Sequence, residues 1–167
     1  MAEVLNSIPM PTLLYTAALA IYLFCVKKFT SFSFVFVAIF ALNAVHLGVE
    51  YLFVSLFNTP QLASFTYYAW YLTFGLTDFI FVGMILFWSK QTNIQLEIVS
   101  KALIGIYFSL GVLQIVRLVE RLTIDSELMA IIYREGIPFA NIVIAILLFG
   151  YVFKTVIESV VSNFRAL

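Results

Sequence analysis

Long apolar runs constrain this chain more than any other feature. Residues 30–54 hold no lysine, arginine or aspartate, and a single carboxylate, Glu50. Comparable runs cover residues 66–88, 98–118 and 137–157, and a shorter one covers 11–26. A helix needs ~20 mainly apolar residues to cross the hydrocarbon of a bilayer. Spanning strands would alternate apolar and polar residues, and these runs do not. The expectation is an all-α integral membrane protein, a bundle of five transmembrane helices in one domain covering residues 1–167. Composition agrees: 63% of the 167 residues are hydrophobic and 11% are charged, with a mean hydropathy of +1.08. Soluble domains carry about 25% charged residues, so the surroundings of this chain are lipid.

Several function classes fall away at this stage. Net charge is zero and the basic residues are scattered, which leaves no footprint for nucleic acid. The single cysteine, Cys25, excludes an internal disulfide and a cysteine-rich metal site. Beside Lys27 and Lys28 at a span end, it reads as a structural thiol or as a juxtamembrane acylation site. The first run is not read as a cleavable signal peptide, since MAEVLNSIP has no basic residue. No GxSxG, HExxH, CxxC or glycine-rich phosphate loop occurs. The expectation is no enzyme, no cofactor and no metal.

Lysine and arginine set the expected orientation. With the N-terminus outside, Lys27, Lys28, Lys90, Lys101, Lys154 and Arg165 lie on the cytoplasmic side, and Arg117, Arg121 and Arg134 lie outside. That excess predicts N-out and C-in, in a plasma or bacterial inner membrane. Trp88 then suits the inner aromatic belt, and Tyr67, Tyr68, Trp70 and Tyr71 the outer one. DSELMAIIYREG, 125–136, reads as a short outer interfacial helix capped by Asp125 and ended by Gly136. The segment from Lys154 onward reads as an amphipathic cytoplasmic extension of the fifth helix. Ile157, Val160, Val161 and Phe164 form its apolar face, for a partner or a second copy.

The polar residues inside the runs are the candidate site. A charge at membrane depth costs at least ~2.5–3.5 kcal/mol on insertion scales, so such groups face the bundle interior. At 1.5 Å of rise per residue, Asn43 and Asp78 fall within ~2 Å of the midplane. His46 sits ~6 Å outward, Gln114 and Asn141 ~8–9 Å, and Glu50 and Arg117 ~12–13 Å. Glu120 and Arg121 mark the outer boundary. Together they form a stripe from the midplane to the outside.

Asn43, His46 and Glu50 share one face of the second helix, and Ala41, Ala44 and Gly48 lie on a roughly opposite one. Small residues allow close helix approach, so this helix is expected at the centre of the bundle. His46 reads as a neutral, hydrogen-bonded imidazole, then as a proton-responsive group, and last as a metal ligand. Glu50 is expected to pair with Arg117, with Glu120 and Arg121 as alternatives. Arg117 and Arg121 offer an anion site as the functional reading. Asp78 is expected to hydrogen-bond with Asn43, Thr73 or Thr77, or to bind a proton or cation.

The functional expectation is a small multi-pass sensor or accessory, partner-binding subunit with an outward polar pocket. The alternative is a small oligomeric proton or ion channel or transporter using Asp78, His46 and Glu50. Expected partners are the lipid bilayer, a second copy of the chain, or another membrane or cytoplasmic protein.

Overall fold

A computed structural model describes residues 10–25 and 30–165. Lys27 and Lys28 lie outside the described residues, as do the side chains of Val160, Phe164 and Arg165. The described residues form five helices: α1 (Met10–Cys25), α2 (Ser31–Phe57), α3 (Ala63–Thr92), α4 (Ile98–Thr123) and α5 (Glu127–Arg165). α2, α3, α4 and the 127–159 part of α5 are long and apolar enough to cross a membrane; α1, with 16 residues, is shorter. The described residues contain no strand.

Local chemistry sets the boundaries. Thr30 starts α2 through a capping box: Ser33 N donates to Thr30 Oγ1, and Thr30 N donates to Ser33 Oγ at 2.8 Å. Tyr22 on α1 shares a hydrogen bond with that same Ser33 Oγ at 2.8 Å, so the cap also ties α1 to α2. Asn58 to Leu62 turn the chain into α3. Asn93 ends α3 with φ 53°, a left-handed conformation that asparagine tolerates better than most residues. Asp125 does the same after α4, with φ 48°.

The sequence expectation for 125–136 is corrected here. No separate interfacial helix exists, because α5 runs unbroken from Glu127 through Gly136 and Pro138. Asp125 is not its cap; Ser126 Oγ accepts the Met129 amide at 3.4 Å instead. Gly136 is helical with a negative φ, and a Cβ there would meet only Leu113, at 3.4 Å. Pro138 removes one backbone donor but leaves the helix continuous.

The helices pack as a closed ring: α1 on α2, α2 on α3, α3 on α4, α4 on α5, and α5 back on α1. α2 also touches α4 across the ring. α2 is therefore one member of the ring and not its centre. Ala41, Ala44 and Gly48 are exposed, and a Cβ on Gly48 would meet nothing within 4 Å. Among the described residues the small-residue face is thus left exposed.

The strongest contact joins α3 and α4. Gly75 and Gly111 let the two backbones approach: a Cβ on Gly111 would lie 3.2 Å from the Gly75 carbonyl oxygen and 3.0 Å from Phe79. Beyond that point, toward the 93–97 connection, the interior is apolar and aromatic. Phe32, Phe36, Ile39, Ile85, Leu103, Ile144 and Leu148 are all fully buried there.

Gly111→Ala is therefore expected to lower stability by about 1–3 kcal/mol, the usual cost of overpacking. Gly105→Ala on the same helix, where a Cβ has open space, is expected to be neutral. Thermal unfolding followed by size-exclusion chromatography in detergent separates the two outcomes.

Candidate functional site: a polar cavity within the ring

The other half of the bundle, toward the 58–62 and 124–126 turns, encloses a cavity of about 300 Å³. Every helix contributes to it. α1 gives Thr12; α2 gives Asn43, His46, Leu47 and Glu50; α3 gives Trp70, Phe74 and Asp78. α4 gives Tyr107, Leu110 and Gln114, and α5 gives Tyr133, Ile137 and Asn141. Asn43, His46, Glu50, Asp78, Gln114 and Asn141, the sequence-predicted stripe, thus line one space. Arg117 does not.

The floor is set by α2, α3 and α4. Asn43 Nδ2 donates to Tyr107 OH at 3.1 Å and to the Ile39 carbonyl at 2.9 Å. One turn higher, His46 Nε2 lies 2.8 Å from Thr77 Oγ1. Thr77 Oγ1 also lies 2.8 Å from the Thr73 carbonyl, which only accepts. The Thr77 proton goes to that carbonyl, so the imidazole carries its proton on Nε2 and donates it to Thr77. Phe74 packs edge-on against the same ring, with centroids 4.8 Å apart. His46 is thus a hydrogen-bonded histidine. No group of three or more histidine, cysteine or acidic side chains placed to hold a metal occurs among the described residues.

Asp78 departs from its expected partners. It is 2% exposed, and its Oδ1 accepts no hydrogen bond from Asn43, Thr73, Thr77 or any other described residue. The nearest cationic candidate is His46 Nε2 at 3.8 Å, beyond hydrogen-bond reach. Sequence depth alone placed nothing basic beside Asp78, yet the fold brings His46 there.

Higher in the cavity, Tyr133 OH donates to Gln114 Oε1 at 2.9 Å and accepts from Trp70 Nε1 at 3.3 Å. Tyr15 OH donates to the Asn141 carbonyl at 3.0 Å and closes the α1–α5 seam. Glu50 lines the cavity half-buried, with no hydrogen bond or ion pair among the described residues.

The expected Glu50–Arg117 pair is not formed. Arg117, 5% exposed, turns away from the cavity into the α4–α5 turn. It binds Glu120 one turn along and Asp125 at 3.2 Å. Glu120 also accepts the Ser126 amide, which locks the turn. Arg121 reaches Asp125 at 3.6 Å and Tyr71 OH at 3.3 Å, with its guanidinium 4.0 Å from the Tyr67 ring centre. Both arginines are therefore satisfied by carboxylates and aromatics, and the anion-site reading loses its free cations.

Sequence reasoning missed Tyr107 and Tyr133, assigned Trp70 to the outer aromatic belt, and expected Thr77 beside Asp78 where the structure gives it to His46. It also missed a polar cluster at the other end, where Glu97 accepts from Tyr151 OH and from Ser31 Oγ at 3.3 Å. On the partner face expected at the C-terminal end, Ile157 and Val161 are exposed.

The fold and the site together define a helical bundle with four membrane-span-like helices around a half-depth polar cavity. Set against known protein families, curated proteins and solved structures, the chain matches none of them.

Replacing Arg117 by Met leaves Glu120 without a cation and Asp125 with Arg121 alone, at 3.6 Å. The expected outcome is a lower melting temperature than that of the wild type, because the buried Arg117 side chain holds Glu120 and Asp125 across the turn. Arg134→Met, at an exposed ion pair with Glu135, is expected to change stability by less than about 1 kcal/mol. Equal melting temperatures for the two variants would remove the locking role of Arg117.

Proposed function

We propose that this chain is a membrane-embedded binding module, a small sensor or accessory subunit whose ring of helices holds a ligand pocket open toward the outside. The blind shape of the cavity carries this reading. Its polar lining comes from five helices and stops at Asn43, Tyr107 and Asp78, while Phe32, Phe36, Ile39, Ile85, Leu103 and Ile144 fill the space beyond. A site that senses or binds needs one opening. A conduit through one chain needs two, and the packed inner half argues against it. The distribution of lysine and arginine supports the N-out, C-in orientation. In that orientation the cavity faces outward. A second copy or another membrane protein docking on the exposed small-residue face of α2 would transmit occupancy.

The pocket's accessibility tests this reading. In a Cys25→Ser background, Glu50→Cys is expected to react with a membrane-impermeant thiol reagent added from outside, and not from inside. Leu148→Cys, in the sealed half, is expected to stay unlabelled from both sides. Labelling of Glu50→Cys from the cytoplasmic side alone would reverse the orientation, and labelling of Leu148→Cys would replace the blind pocket by a pathway. Proteoliposomes of the wild-type chain are expected to pass neither protons nor monovalent cations. Flux abolished by Asp78→Asn would establish the channel instead.

A further inference from the structure

The composition of the cavity wall identifies the kind of ligand. The lining contains two carboxylates, Asp78 and Glu50, and no lysine or arginine. Arg117 and Arg121 are turned into the α4–α5 turn and bound to Glu120 and Asp125, and Arg134, next in sequence to Tyr133, is exposed and bound to Glu135. The imidazole of His46 gives its Nε2 proton to Thr77. Asp78 Oδ1 is thereby left buried in the wall with no donor among the described residues. A carboxyl buried in a low-dielectric setting stays ionised only beside a cation or a set of donors, and otherwise takes up a proton.

Around these carboxylates the wall is aromatic. Trp70, Phe74, Tyr107 and Tyr133 all line the cavity. Trp70 stacks at a tilt on Phe74, with centroids 4.8 Å apart, and Tyr133 fixes the Trp70 indole through its hydroxyl. Electron-rich aromatic faces beside a carboxylate are the surroundings in which substituted ammonium groups are stabilised. A second crevice lined by Phe57, Tyr67, Tyr71, Pro138 and Arg134, the last paired with Glu135, shares Trp70, Tyr133 and Ile137 with the cavity, so a mainly aromatic path leads to it from the 58–62 end. Glu50, half-buried and unpaired, stands on the wall between that end and Asp78.

We propose that the cavity binds a small organic cation, an amine or quaternary ammonium compound, with its charge at Asp78 and its alkyl body against the Trp70 and Tyr107 rings. The proposal rests on the reading of the cavity as a ligand pocket and adds the sign and character of the ligand. At about 300 Å³ the space suits a compact molecule, at the small end of the usual range of about 300–1,000 Å³ for ligand pockets.

The probes are choline and its neutral carbon isostere 3,3-dimethylbutan-1-ol. Both are titrated calorimetrically into the full chain in maltoside detergent, which carries no ammonium group. Choline is expected to bind saturably and the isostere at least about tenfold more weakly. Asp78→Asn is expected to abolish the preference, and Glu50→Gln to reduce it. Should Asp78→Asn fail to fold, the wild-type comparison and Glu50→Gln carry the test.

Equal binding of choline and the isostere would overturn the cation assignment and leave the ligand pocket standing. So would silence from both probes in a protein whose Glu50→Cys variant is labelled from outside. Silence together with an unlabelled Glu50→Cys would remove both readings.

Discussion

The close approach of α3 and α4 at Gly75 and Gly111 is the contact on which the cavity depends. Neither glycine is required by a turn or a positive φ; each is required by the other helix. A Cβ on Gly75 would meet Gln114 Cβ at 3.2 Å and Ile115 at 3.0 Å. Bringing these backbones together sets the register in which Asp78 lies one turn from Gly75, and Gln114 one turn from Gly111. Both then line the same space. In lipid, helices gain nothing from hiding apolar surface from one another, so tight backbone packing is a large part of what holds such a pair. The same register leaves Tyr107 within reach of Asn43 across the ring.

Once the ring is closed, the polar groups divide by whether the chain itself satisfies them. At the 58–62 and 124–126 end, Arg117, Glu120, Asp125 and Ser126 satisfy one another within a single turn. At the 93–97 end, Glu97 takes the hydroxyls of Tyr151 and Ser31. These two clusters read as structural, because every charge in them has an internal partner. Between them, Asn43, His46 and Gln114 are partnered, whereas Asp78 Oδ1 and Glu50 are not. A buried carboxylate oxygen without a donor is costly in any fold. The packed half also leaves Ser100 Oγ buried without a partner, but that is a neutral hydroxyl; the acidic group without a donor lies on the cavity wall, and this asymmetry separates a binding site from a structural polar network.

Much of this was legible in the sequence. The apolar runs predicted five spans, of which four are long and apolar enough to cross a membrane and α1 is shorter; the depth estimate put Asn43, His46, Glu50, Asp78, Gln114, Arg117 and Asn141 in one stripe, and all but Arg117 line the cavity. Three features were not legible, each for a definite reason. The partner of Arg117 was decided by the three-residue turn 124–126, which folds Asp125 back within reach; helix depth carries no information about turns. Gly136 was expected to end a short helix, yet α5 continues through it and through Pro138, since tertiary packing against α4 and α1 outweighs local propensity. Tyr107, Tyr133 and Trp70 looked like belt or packing residues, because an aromatic ring gives no sign in sequence of whether its polar tip meets lipid headgroups or another helix.

The small-residue face of α2 shows how the same physics can point two ways. Small side chains permit close approach but do not bring a partner, and here the ring closes through α1 and α5 without using that face. The polar side of α2 was decided differently. Asn43 and His46 carry groups that hydrocarbon cannot satisfy, so their orientation toward Tyr107 and Thr77 was forced. Polar residues therefore fix which side of a membrane-type helix is internal, and small residues only mark where contact is possible. Within this ring, the cavity follows from the forced side.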